Sequence, residues 1–220
     1  MSAGPHGALH ALRHGGSRST SSNWSGYDVT GSGGTDVKGT WTQPAATCSA
    51  GENSWSSPWV GIDGDVSNTV EQIGTDSDCT NGSPTYYAWY EMYPKGTVTI
   101  GSITVVPGHT YSGEVRYSNG AFVLTLTDTT VNRTFSTTQT LKRANLSSIE
   151  WVMEGPSNGL LSDFGSVSFS NASGTINGVT GNLGGFSNLD PITMVAGGVT
   201  RAVPSAVSGG SSFDVTWKHS

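Results

Sequence analysis

Charge is what this sequence has least of. Only 10 of its 220 residues are Lys or Arg, against 16 Asp or Glu, a formal net charge of −6. Charged residues amount to 12%, about half the ~25% of an ordinary soluble domain. Ten scattered cations make no basic stripe, so nucleic acid is not an expected partner. No apolar run approaches the roughly 20 residues of a spanning helix, so no membrane partner is expected either. Ala, Glu, Lys and Leu are too scarce for a coiled coil or helical bundle. The chain is rich instead in Gly (31 residues), in Ser and Thr (59 together) and in aromatics (20). That apolar content excludes disorder, and the length suits one domain of sandwich or barrel size.

Scarcity of charge matters most in acid. Once carboxylates are protonated, only cations are left to repel one another. Residues 22–220 hold 8 Lys or Arg, two His and all 16 acids, a formal charge of −8 at neutrality. Protonated throughout, this segment carries few positive charges for its size. The composition fits a secreted, extracellular protein of an acidic environment.

Residues 1–21 stand apart. They hold His6, His10, His14, Arg13 and Arg18, with no acid and no aromatic. The four-residue spacing would align the three His on one helical face. The plainer reading is a basic leader, the remnant of a removed pro-segment, which makes the protein a zymogen product. Cys48 and Cys79 both lie in Gly/Ser/Thr-rich stretches. A single disulfide of an exported protein is expected, with two buried thiols as the alternative. Neither has a His or second Cys at ligand spacing, so no metal and no cofactor are expected.

From Asn23 onward, short stretches of Val, Ile, Thr, Tyr and Trp alternate with Gly, Asn, Ser and Pro clusters. Clear strands are expected at 37–41, 57–63, 69–74, 86–93, 103–106, 110–117, 121–128, 133–138, 148–153, 164–170, 192–195 and 212–217. About a dozen strands at this spacing predict an all-β sandwich of two packed antiparallel sheets. No helical period and no internal repeat are present, and residues 22–220 form one domain. In 86–93, Tyr86, Ala88, Tyr90 and Met92 share one face; Tyr87, Trp89, Glu91 and Tyr93 share the other. A strand with aromatics on both faces is buried on one side and packs on a partner or lines a groove on the other.

Chemistry narrows to carboxylates. His109 is the one His well inside the domain, and no G-x-S-x-G elbow or H-E-x-x-H cluster occurs. No Ser-His-Asp triad is therefore expected, and cysteine catalysis lacks a base. Acids within apolar strands are costly unless partnered or open to a cleft, which singles out Asp63, Glu71, Glu91, Glu150 and Glu154. Glu150 and Glu154 point to the same face of a strand, with Cα atoms about 13 Å apart. That is wide for a retaining glycosidase pair. A carbohydrate-binding module or inverting glycosidase, using Trp55, Trp59, Trp89 and Trp151, stays open as an alternative.

Five ordered motifs carry more information than any one of these residues. They are Ser22-Asn23-Trp24-Ser25-Gly26-Tyr27, Trp59-Val60-Gly61-Ile62-Asp63-Gly64, Val70-Glu71-Gln72-Ile73-Gly74-Thr75-Asp76, Tyr87-Ala88-Trp89-Tyr90-Glu91-Met92-Tyr93-Pro94 and Glu150-Trp151-Val152-Met153-Glu154. In this order the chain resembles the glutamic peptidase (eqolisin) family from about residue 22 to its C-terminus. The resemblance implies a concanavalin A or legume-lectin-like sandwich and acid endopeptidase activity on protein or peptide substrates. It implies no metal or cofactor, and the protein is expected to act as a monomer. By the same resemblance the catalytic pair is Gln72 and Glu154, with Glu150 a supporting carboxylate. Trp59 and Asp63 fall on substrate-cleft positions, and Asp76, Trp89, Tyr90 and Glu91 on further cleft or supporting ones. Gly155-Pro156 follow Glu154 where several fungal relatives have an acid, so the loop there is expected to differ.

Overall fold

The structure, a computed structural model, describes residues 13–14, 19–156 and 158–220. Most of the basic leader, including His6, His10 and Arg18, lies outside the described residues.

Thirteen described strands of five residues or more carry the fold. They are β1 (Trp24–Thr30), β2 (Asp36–Thr42), β3 (Ser57–Ile62), β4 (Val70–Thr75), β5 (Ala88–Tyr93), β6 (Thr110–Ser118), β7 (Ala121–Asp128), β8 (Arg133–Gln139), β9 (Ser148–Glu154), β10 (Ser166–Ile176), β11 (Leu189–Ala196), β12 (Val199–Pro204) and β13 (Phe213–Trp217). Antiparallel pairing runs β8–β7–β6–β2–β10–β13–β12–β11–β1–β9–β3–β4–β5. This ladder folds back on itself. β8, β7, β6, β2 and β10 form one layer; β11, β1, β9, β3, β4 and β5 form the other; β12 and β13 join them. The expected antiparallel sandwich is therefore present.

Alternation within the strands explains the packing. Val37 and Trp41 of β2, Val115 of β6 and Leu124 of β7 face Val60, Ile73 and Trp151 of the opposite layer, all fully buried in one core. Burying each such side chain is worth roughly 1.5–3 kcal/mol. Two indoles lock the layers together. Trp151 Nε1 donates to the Lys38 carbonyl at 2.7 Å, and Trp41 Nε1 donates to Thr75 Oγ1 at 2.8 Å. Buried indole N–H groups need such partners. Gly39 makes the fit possible, since a Cβ there would meet the Trp151 ring at 2.9 Å and Val60 at 3.0 Å.

A small sheet of Ser54–Trp55, Asp78–Thr80, Ser83–Thr85 and Leu160–Leu161 caps one end of the second layer. Beside it Cys48 and Cys79 form a disulfide, with Cα atoms 5.6 Å apart. Ser19–Ser21 runs parallel to β11, so the last residues assigned to the leader are part of the sheet.

Residues 103–106 depart from the sequence expectation. Ile103 and Val105 are buried, which produced the strand-like alternation, but they pack on the core without a ladder partner. Conversely, β1 and β12 were not singled out. β1 reads Trp-Ser-Gly-Tyr-Asp-Val-Thr, and its Gly26 and Asp28 interrupt the apolar pattern because both faces of the strand are covered.

Candidate active site

The second layer has a core face and an outer face. A separate apolar cluster occupies the outer one: Trp24, Trp59, Val70, Trp89, Val152 and Ile192, flanked by Tyr87 and Tyr93. β5 therefore divides as its alternation predicts. Tyr86, Ala88, Tyr90 and Met92 belong to the core; Trp89, Tyr87 and Tyr93 belong to the outer cluster.

Register lays the outer face out in rows. One row crosses six strands as Asp190, Asp28, Glu150, Gly61, Gln72 and Glu91. Two residues along, Val152, Trp59, Gly74 and Trp89 are aligned, and beyond them Trp24, Glu154 and Ser57. Two glycines make room for the indoles. A Cβ at Gly61 would lie 2.8 Å from the Trp59 ring, and one at Gly74 would lie 2.6 Å from Trp59 Cβ and 3.1 Å from the Trp89 ring.

Glu154 ends β9 with its carboxylate almost fully buried. Trp59 Nε1 donates to its Oε2 at 2.8 Å, and Asn23 Nδ2 donates to its Oε1 at 3.2 Å. Both partners are neutral N–H donors, which match an ionised carboxylate. Asn23 is itself fixed. Its Oδ1 accepts from Ser21 Oγ at 3.1 Å, and its carbonyl accepts from the Gly155 N–H at 2.8 Å. Gln72 lies on β4, buried on the same face. Its Nε2 donates to Glu91 Oε2 at 2.8 Å, while Thr97 Oγ1 donates to Glu91 Oε1 at 3.1 Å. Gln72 Oε1 is buried without a hydrogen-bond partner among the described residues. One amide hydrogen and one carbonyl of Gln72 thus remain for a ligand.

A different chemistry surrounds the other end of this face. The turn 63–69 brings Asp65 against Asp28, next to Glu150 and Asp190. Burial, and then the neighbouring Asp65 and Asp190, hold the Asp28 carboxyl well above the usual carboxylate range. Burial likewise raises Glu150 well above it; Ser148 offsets a part, and Asp28, Asp63 and Asp65 add to the rise. On the core side of β4, burial and the adjacent Asp63 push Glu71 up to about 9. Among the described residues no group of three or more His, Cys, Asp or Glu could hold a metal ion.

The structure brings Gln72, Glu154, Trp59, Trp89 and Glu91 to one face. Trp89 supports it, its indole donating to Ser57 Oγ at 3.1 Å. Asp76 follows β4 as a buried residue whose N–H donates to the Tyr87 carbonyl and whose carbonyl accepts from Gln43 Nε2. Two predicted residues are not brought to this face. Tyr90 stacks on Phe135 on the core side, with ring centroids 5.9 Å apart. The Asp63 carboxylate accepts the N–H groups of Asn145, Leu146 and Ser147 at 2.8–2.9 Å, so it organises that loop. Trp59, Trp89 and Trp151 are fully buried, leaving none of the three as an open platform for a sugar. Asn23, which donates to Glu154, is not singled out by the sequence pattern. It sits in the first motif, but nothing local distinguishes it from any Asn in a Ser-rich stretch.

Comparison with known proteins places this sandwich in a family. The Peptidase A4 family matches residues 22–217, and the chain belongs to that family. It is a glutamic peptidase domain of the eqolisin kind. It is 34% identical to aspergillopepsin-2 of Aspergillus niger over 73% of this chain and 66% of that protein. It is 40% identical to scytalidopepsin B of Scytalidium lignicola over 40% of this chain and 32% of that one. The chain thus spans just under two thirds, and about one third, of these relatives. Among solved structures, it resembles aspergilloglutamic peptidase from Aspergillus niger with TM-score 0.65 at 28% identity, covering 74% of this chain and 99% of that one. A scytalido-glutamic peptidase bound to a transition-state analogue inhibitor shares the fold with TM-score 0.74 at 24% identity, covering 90% and 98%.

Proposed function

We propose that this chain is an acid-acting endopeptidase in which Glu154 is the general base and acid and Gln72 stabilises the oxyanion. The observation that carries this reading is the set of donors on Glu154. Its two oxygens are each held by a neutral N–H group, on the same face as a Gln with a spare donor and a spare acceptor. Gln72 and Glu154 are two strands and four residues apart by register.

The chemistry follows from these groups. Glu154 takes a proton from the water as its oxygen attacks the peptide carbonyl. The second Gln72 amide hydrogen donates to the oxyanion, and its carbonyl orients the water. Because Gln is uncharged, it does not repel the developing negative charge. Glu154 then returns the proton to the leaving amine. Glu91 holds the Gln72 amide in the orientation this requires. Substrates are proteins or peptides, and the site of action is an acidic, extracellular medium. No helix of the described residues is long and apolar enough to cross a membrane.

The test is digestion of a denatured protein at pH ~3–4. Activity should resist serine, cysteine and metal inhibitors. It should fall by about 10³-fold or more in both Glu154→Gln and Gln72→Ala. Full activity in Glu154→Gln would overturn the assignment.

A further inference from the structure

One of the chain's ten cations supplies an unusual feature of the site's surroundings. Arg201, on β12, is almost completely buried. Its guanidinium has no carboxylate partner among the described residues, and burial alone lowers its pKa. A buried cation without a counterion is costly, so the bonds it makes merit a reason. Nη1 donates to the Pro156 carbonyl at 3.0 Å and Nη2 to the Gly159 carbonyl at 2.9 Å. Both acceptors belong to the loop that leaves Glu154.

That loop borders the carboxylate directly. Gly155 follows Glu154, and its N–H donates to the carbonyl of Asn23, whose side chain holds Glu154. A Cβ at Gly159 would meet Pro156 at 3.2 Å and the Trp55 ring at 3.6 Å. Beyond Gly159, the half-exposed Leu160 pairs with Ser54 and Leu161 with Trp55, in the small sheet just before β3.

We propose that Arg201 is a positioning residue for the peptidase site, clamping Pro156 and Gly159 of the chain that leaves Glu154 as a wall of the peptide cleft. The proposal rests on Glu154 being the catalytic glutamate. The planar guanidinium fork suits two carbonyls at once, which a Lys ammonium does not. The clamp is also indifferent to acid. Arginine stays protonated and carbonyl oxygens do not titrate, so the wall keeps its place at any pH at which Glu154 works. Ties to carboxylates would not.

The experiment compares Arg201→Lys and Arg201→Met with the parent enzyme on an internally quenched peptide spanning several residues on each side of the cleaved bond. KM, kcat, the pH profile of kcat and the melting curve are measured together. Arg201→Met should raise KM by roughly tenfold or more, with kcat changed by less than about threefold, because ground-state and transition-state binding are lost equally. Arg201→Lys should give a smaller rise, and the acid limb of the kcat profile should not move. Guanidinium ion at millimolar concentration should lower the KM of Arg201→Met. If Arg201→Met does not fold, Arg201→Lys carries the test. An unchanged KM in a folded variant overturns the proposal. So does a loss of activity that merely follows the folded fraction, or a shifted acid limb. Glu154→Gln serves as the control: if it stays active, the catalytic assignment fails; if it is inactive while KM ignores Arg201, only the clamp fails.

Discussion

Glu150 and Glu154 share one strand and one face, four residues apart, and end in opposite environments. Glu154 sits among neutral N–H donors from Trp59 and Asn23. Glu150 is surrounded by Asp28, Asp63 and Asp65, and burial keeps it protonated well above the usual range. One carboxyl accepts an N–H hydrogen bond on each oxygen, and the other is held protonated by burial and neighbouring acids. The lesson is that residue type and spacing select candidates, while the groups brought in by other strands set each carboxyl's environment.

The largest expected break of this contrast comes from removing the donors on Glu154. Trp59→Phe and Asn23→Ala should each cost roughly 10–100-fold in kcat/KM, the effect of one hydrogen bond to a charged group. Kinetics on the same quenched peptide would check it. A loss in Asn23→Ala that tracks only melting temperature would mean that the Asn23 side chain supports the fold and not Glu154.

Next in size is stability against pH. Glu71, pushed up to about 9, keeps its proton in the folded state, whereas the unfolded chain releases it near ~4.3. Glu150 and Asp28 are raised in the same sense. Stability from such groups is fully present below the unfolded value and is lost as pH rises through the folded one. Each retained proton costs up to about 1.4 kcal/mol per pH unit over that window. The melting temperature should therefore drop between pH 4.5 and 7, and Glu71→Gln or Glu150→Gln should flatten the drop. Thermal melts across pH would show it; a parent protein more stable at pH 7 than at pH 4.5 would refute it.

The smallest effect lies far from the site. His109 Nδ1 and Asp128 Oδ2 are 2.8 Å apart. Burial opposes ionisation of Asp128, but His109 and the N–H groups of Thr130 and Val131 outweigh it and lower its pKa. Its contribution is present above the unfolded value and lost as pH falls through the folded one. His109→Ala should cost about 1 kcal/mol at pH 6 and less at pH 2, read from denaturant melts.

Much of this was legible in sequence. Period-two alternation gave the strand architecture and even the two faces of β5, because one face of each layer is buried in the core. The five motifs pointed to Gln72, Glu154 and Trp59, which the fold places on one face. What stayed hidden was long-range. Asn23 reaches Glu154 across 131 residues of sequence, and only the β1–β9 pairing places it there. Asp63 has the look of a cleft acid, yet its carboxylate is spent on three N–H groups of a loop more than 80 residues away. Arg201 reads as an ordinary strand cation until the fold closes over it.

The contrast between the two glutamates is tested most directly by assaying Glu150→Gln and Glu154→Gln side by side, on one peptide at pH ~4, with both variants shown to be folded. The account predicts that Glu154→Gln is inactive, while Glu150→Gln cleaves within about tenfold of the parent. An active Glu154→Gln beside an inactive Glu150→Gln would contradict it.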